Sequence, residues 1–89
     1  MDIKVEKLSQ DQLQAREVFS WPVWKKEVSR FDWHYDEVEE CYLLDGKVTV
    51  ETKDGKRLSF GKGDFVTFPR GLSCSWDIQE PVRKHYNFK

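Results

Sequence analysis

The sequence predicts an all-β sandwich or barrel, and three observations carry that prediction. Short runs of strand-forming residues recur about every ten positions, at roughly 22–28, 31–35, 40–44, 47–52, 56–60, 64–68, 72–78 and 82–88. Turn residues separate them: Asp45-Gly46, Asp54-Gly55, Gly61-Lys62-Gly63-Asp64 and Pro69-Arg70-Gly71. Within Ser73-Cys74-Ser75-Trp76-Asp77-Ile78, polar and apolar side chains alternate strictly, which puts Cys74, Trp76 and Ile78 on one inward face.

Each element follows in order. Ser9-Gln10-Asp11-Gln12 is a Ser-x-x-Gln capping box that leads into Leu13, Ala15 and Val18, so one short helix or helical turn fits residues 9–18. Trp21-Pro22 ends it, because the residue before a proline is driven to extended geometry. From Val23 onward the chain reads as β. Asp45-Gly46 and Asp54-Gly55 are favoured two-residue hairpin turns, since both residue types tolerate positive φ. No internal repeat, linker or low-complexity segment divides the chain, so residues 1–89 form a single domain with a core barrel at about 22–88.

Composition narrows the function classes. A net charge of −1 and an isoelectric point near 6.1 remove the attraction to phosphate that a nucleic-acid binder uses, so no nucleic-acid partner is expected. The longest uncharged run is far too short to cross a bilayer and Met1-Asp2-Ile3-Lys4 carries no apolar signal region, which predicts a cytoplasmic protein without a membrane partner. Cys41 and Cys74 are too few for a disulfide scaffold and read as free thiols in a reducing compartment. Residues 1–40 hold ten acids and six bases, whereas residues 41–89 hold six acids and nine bases. Four of the acids, Asp36, Glu37, Glu39 and Glu40, fall within five residues. Most such runs are solvated loops. Glu40 stands apart because it leads directly into Cys41-Tyr42-Leu43-Leu44.

Two stretches resemble a known family. Gly63, five residues, then Pro69-Arg70-Gly71-Leu72-Ser73-Cys74 is similar to the second cupin motif, G-x5-P-x-G-x2-H, with Cys74 in the histidine position. Glu40 through Gly46 resembles the end of the first cupin motif, a glutamate followed by a hydrophobic strand and a glycine turn. With the Trp-rich stretch before them and the closing Arg83-Lys84-His85-Tyr86, they look like the small cupins grouped with (S)-ureidoglycine aminohydrolase and the ethanolamine-utilisation cupins. The resemblance implies a double-stranded β-helix, a small RmlC-like jelly-roll barrel.

In metal-binding cupins two histidines, a glutamate and the second-motif histidine converge on a divalent ion. Counting back four residues from Glu40 places Trp33 and Tyr35 at the first two positions, with Cys74 at the last. A lone carboxylate does not hold a divalent ion with useful affinity, so no metal is expected. A gap of three residues instead gives His34, Asp36, Glu40 and Cys74, a set chemically suited to Zn or Fe, with Mn or Ni also within the family's range. Aromatic residues in place of ligands change the cavity: Trp33, Tyr35, Tyr42, Cys74 and Trp76, with Glu40 as the one acid, describe an apolar ligand pocket with few polar anchors. The same rings would equally serve as barrel core. His85 has a range suited to proton transfer near neutral pH, although a lone strand histidine is more often structural. Glu40 and His85 are therefore the candidate catalytic residues.

Three functions remain open. The leading one is a metal-free barrel that binds a small molecule through Glu40. An alternative is a metal-dependent enzyme of the ureidoglycine aminohydrolase kind acting on a small amide or ureido substrate. The third is a homodimeric structural or interaction module, with Trp21 and Trp24 around Pro22 as its contact residues. A homodimer is the expected assembly, and whether the chain catalyses any reaction stays open.

Overall fold

The computed structural model describes residues 2–89 and is built mainly of seven strands, as the all-β reading predicts. In chain order these are β1 (Lys4–Glu6), helix α1 (Gln10–Ala15), a 3₁₀ turn (Val18–Ser20), β2 (Val23–Lys26), β3 (Ser29–His34), β4 (Glu39–Thr52), β5 (Arg57–Gly61), β6 (Phe65–Phe68) and β7 (Ser73–Phe88). The capping box forms: the Ser9 hydroxyl accepts from the Gln12 N–H at 3.2 Å, and the Gln12 side chain accepts from the Ser9 N–H at 2.8 Å. Two otherwise unpaired amides at the start of α1 are thereby satisfied. The helix stops at Ala15, Glu17 turns left-handed at φ 58°, and Trp21 is extended before Pro22.

The structure corrects the strand count. The segments 40–44 and 47–52 are one 14-residue strand, β4, and the segments 72–78 and 82–88 are one 16-residue strand, β7, that runs straight through Pro81. These two pair antiparallel from Glu39↔Phe88 to Thr52↔Cys74, with register shifts between Leu43 and Val48. Asp45-Gly46 is therefore a bulge, which adds a residue to one strand and bends it, and no hairpin forms there. Gly46 is needed at that bend: its φ is +117°, and a Cβ would sit 2.9 Å from both the Pro81 carbonyl oxygen and the Val82 Cα. Asp54-Gly55 does join β4 to β5 as a hairpin. Only Gly55 has positive φ there, so the turn is the longer kind with one left-handed glycine and not the two-residue mirror-image turn. Strand β1, three residues added to the edge of β6, is too short for its alternation to show in the sequence.

The bent β4/β7 ribbon makes the barrel. Its half containing Glu39–Tyr42 and Val82–Phe88 carries β6, β1 and β2, giving the order β1-β6-β4-β7-β2, while its other half carries β5 on β4 and β3 on β7. Side chains between the two leaves form the main core, with Val48, Val50, Phe60, Val66, Phe68 and Ile78 among its buried members. A second, smaller cluster of Leu13, Val18 and Phe65 lies on the outside of the first leaf, where α1 and the 3₁₀ turn cover Tyr42 and Trp21. Among the described residues no helix is long and apolar enough to cross a membrane.

Candidate functional site

Strand alternation decides which side chains enter the barrel. On the first leaf, Glu39, Cys41 and Leu43 of β4 point inward together with Val66 and Phe68 of β6. On β7 the inward set is Trp76, Ile78, Val82, Lys84 and Tyr86. Near the Glu39 end of the ribbon this interior is not filled. A cavity of about 220 Å³ remains, walled by Trp24, Phe31, Trp76, Tyr35 and Tyr86, with Trp33 and Phe88 at its rim and Glu39 and Lys84 as its charged groups. Trp33 and Phe88 are 49% and 45% exposed, which marks the side on which the cavity meets solvent. At roughly 30 Å³ per water, the space holds about seven waters.

The polar groups of the cavity form two linked contacts. Lys84 Nζ donates to Glu39 Oε2 at 2.8 Å, and the two side chains are only 6% and 5% exposed. Lys84 Nζ also lies 5.0 Å from the Trp24 ring centre and 4.8 Å from that of Trp76, close enough for cation–π attraction on both sides. Trp76 Nε1 in turn donates to the Tyr35 hydroxyl at 3.1 Å, and Tyr35 stacks on Phe68 with centroids 4.7 Å apart. The aromatic wall thus fixes both polar anchors.

Burial shifts the neighbouring acids. Tyr35 is held far above the usual phenol range, first by desolvation and then by the Glu39 carboxylate. The Cys41 thiol is pushed up to about 12 by burial, an effect that the Lys84 charge partly offsets. Burial raises Cys74 to about 11, with Asp32 and Glu39 adding to it. Both thiols are free and neither has thiolate character at neutral pH.

The residues singled out from the sequence divide between the two faces of the sheet. Tyr35 and Trp76 line the cavity and Trp33 stands at its rim. Cys74 is buried in the core beside them, opposite Trp33 in the β3/β7 pairing, and does not line the cavity. Glu40 and Tyr42 face the other way. Glu40 pairs with Arg16 at 3.5 Å and Lys89 at 3.3 Å, while Tyr42 packs under the 3₁₀ turn against Phe19. Glu40 is therefore not the pocket's acid; Glu39 is. His85 also lies on the outer face, opposite Tyr42. Its Nδ1 donates to the Trp21 carbonyl at 2.9 Å, and Phe19 packs edge-on against its ring. It holds the N-terminal segment to the barrel and does not reach the cavity.

His34 and Asp36 sit at the exposed rim of β3, where His34 Nδ1 shares a 2.6 Å hydrogen bond with Ser73 Oγ and Nε2 lies 3.6 Å from Asp36. The set His34, Asp36, Glu40 and Cys74 is thus spread over the rim, the outer face and the core. Among the described residues no three His, Cys, Asp or Glu side chains gather closely enough to hold a metal ion. Inside the barrel, the positions that would offer imidazole carry Trp33, Tyr35 and Cys74, and the remaining carboxylate, Glu39, is ion-paired to Lys84. That donor set does not fit a divalent ion. Trp21 and Trp24 are not a free arm either: Trp21 packs against Phe65, and Trp24 packs against Phe31 and Trp76.

The charged cavity residue that the sequence reading does not single out is Lys84. Its signal was present, because the even-numbered residues from Cys74 to Ile78 face inward and Val82, Tyr86 and Phe88 continue that parity. Glu39 was harder to find. Cys41 and Leu43 point to it, but Tyr42 and Leu44 support Glu40 equally well.

A family model of the EutQ-like cupin domain matches residues 13–86. Among solved structures, a DUF861 family protein from Thermotoga maritima is 55% identical and superposes with a TM-score of 0.98 over 99% of this chain and 100% of that one. A DUF861 family protein of unknown function from Pseudomonas syringae is 26% identical, with a TM-score of 0.68 over 75% of this chain and 29% of that one. The EutQ protein of Clostridium difficile is 23% identical, with a TM-score of 0.67 over 74% of this chain and 52% of its own, a likeness that shows shared fold alone. No curated protein matches the chain. The two-leaved barrel and the match over most of the sequence agree: this chain belongs to the family of EutQ-like cupin domains.

Proposed function

We propose that this small cupin is a metal-free barrel that binds a small molecule in the cavity around Glu39 and Lys84. The observation that carries the reading is the buried Lys84–Glu39 pair, 2.8 Å apart, on the wall of an otherwise aromatic cavity. An apolar site with a few fixed polar anchors is the usual plan of a ligand pocket. Lys84 and the Tyr35 hydroxyl can donate and Glu39 can accept, so the ligand has a compact head with both an acceptor and a donor, such as an amide. Its flat or apolar body lies among Trp24, Phe31 and Tyr86. The donor set supports this reading over a metal-dependent amidohydrolase, which would need ligating side chains where Trp33, Tyr35 and Cys74 stand. Two buried free thiols favour a reducing compartment such as the cytoplasm.

Thermal unfolding across a panel of small amides, with Zn, Mn, Fe and Ni salts alongside, tests the reading. A ligand at about 100 times its Kd stabilises the fold by about 2.7 kcal/mol. In a domain of this size that moves Tm by roughly ten degrees or more. At least one amide is expected to do so, the metals are not, and Glu40→Gln is expected to leave the amide response intact. Stabilisation by a metal at one equivalent, with none by any amide, overturns the reading.

A further inference from the structure

Lys84 is more than an anchor: the geometry points to a reactive amine that forms an imine with small neutral aldehydes or ketones entering the cavity. This rests on the cavity reading above and adds to its amide-like ligands a second class, which needs only the donors of the same site. Three observations carry it. Among the described residues Lys84 is the one lysine on the cavity wall, and its Nζ stands between Trp24 and Trp76 at 5.0 and 4.8 Å on a side chain only 6% exposed. A lysine in such a pocket attacks carbonyl carbon once a neighbouring base has taken its proton. Glu39 Oε2, 2.8 Å from Nζ, is placed to take and return the protons that such a reaction moves. The Tyr35 hydroxyl accepts from Trp76 Nε1 at 3.1 Å and lines the same cavity, which leaves its own O–H available to a carbonyl oxygen.

The step balances without an oxidant or reductant. The Lys84 ammonium passes a proton to Glu39, the freed lone pair forms a C–N bond to the carbonyl carbon, and the C=O π pair moves to oxygen, which takes the proton back from Glu39. Glu39 then removes a second proton from nitrogen and delivers it to the hydroxyl. The C–O bond breaks, water leaves, and the nitrogen lone pair closes the C=N bond as a protonated imine. The cavity also selects among carbonyl compounds. Its volume of about 220 Å³ limits size, and the Glu39 carboxylate beside the amine disfavours a second anion. Small uncharged aldehydes and ketones fit where keto acids do not.

Reductive trapping tests the inference. The intact protein is incubated with propanal and cyanoborohydride, and peptide mapping locates the mass gain of propanal less its oxygen. The expected result is labelling of Lys84 about tenfold above the mean of the nine other lysines, with pyruvate labelling Lys84 about tenfold less than propanal does. Lys84→Arg keeps a cation opposite Glu39 and removes the adduct. Labelling of Lys84 no greater than that of the surface lysines overturns the inference. Propanamide, which cannot form an imine, separates the two readings through tryptophan fluorescence. A response to propanamide without a Lys84 adduct sinks the imine alone, whereas no adduct and no response to propanamide or to any other amide of the panel sinks the binding reading with it.

Discussion

Removing one member of the Glu39–Lys84 pair leaves the other charge buried among aromatic rings, and this is where single substitutions weigh most. Glu39→Gln and Lys84→Met are each expected to destabilise by about 3–5 kcal/mol in urea unfolding, while Glu39→Leu combined with Lys84→Met restores stability to near the wild-type value or above it. Glu40→Gln, one residue away, removes a carboxylate whose side chain is 9% exposed, but its partners Arg16 and Lys89 are 43% and 59% exposed and stay solvated when unpaired, so the loss should be about 1 kcal/mol. Equal losses at positions 39 and 40 would place the carboxylates on the wrong faces. The thiols set a pH dependence. Folding holds Cys41 and Cys74 neutral up to about pH 12 and 11, whereas the unfolded chain releases those protons near 8.5. Between these values the folded state binds more protons, so the contribution is complete below the unfolded value and is lost as pH rises, at roughly 1.4 kcal/mol per pH unit for each thiol. Urea unfolding from pH 8 to 11 should show that decline, with a shallower slope in a Cys41→Ala, Cys74→Ala variant.

At the scale of elements, what could be read from the sequence depended on whether alternation stayed in phase. In β7 it did: Cys74, Trp76, Ile78, Val82 and Tyr86 all face inward, and Lys84 follows from the same parity. Pro81 lies between the two segments expected there, 72–78 and 82–88, yet it passes within one strand: Lys47 pairs with Glu80 and the ladder resumes at Arg83 opposite Asp45. In β4 the phase changes. Val48 and Val50 face inward at even positions, Cys41 and Leu43 at odd ones, and the bulge between them absorbs the difference. Even parity carried back from Val50 leads to Glu40 and Tyr42, the wrong face. The capping box at Ser9 needed no such bookkeeping, because it is a local signal that tertiary context leaves alone. Two glycine substitutions separate the bulge from the true hairpin. Gly55→Ala meets nothing within 4 Å and should cost about 1–2 kcal/mol for its positive φ alone, whereas Gly46→Ala adds a collision with the backbone of Pro81 and Val82 and should cost about 3–5 kcal/mol. Equal costs in urea unfolding would mean that the β4 bend does not press against β7.

At the scale of the molecule, one ribbon of two long strands supplies both leaves, and the cavity lies where their inner faces part near residues 39 and 84. The cupin resemblance conveyed the barrel and the aromatic replacement of ligand positions, but not which acid enters the barrel or that a lysine meets it. Those facts depend on pairing partners some 45 positions apart in the chain. The central claim is that Glu39 and Lys84, and not Glu40, Tyr42 or His85, form the polar wall of the ligand site. It is tested most directly by amide and indole NMR spectra recorded while propanamide is added. The account predicts shifts concentrated on the indoles of Trp24 and Trp76 and the amides of Glu39 and Lys84, lost in the variant carrying Glu39→Leu and Lys84→Met. Shifts confined to the neighbourhood of Glu40, Tyr42 and His85, or unchanged in that double variant, would contradict it.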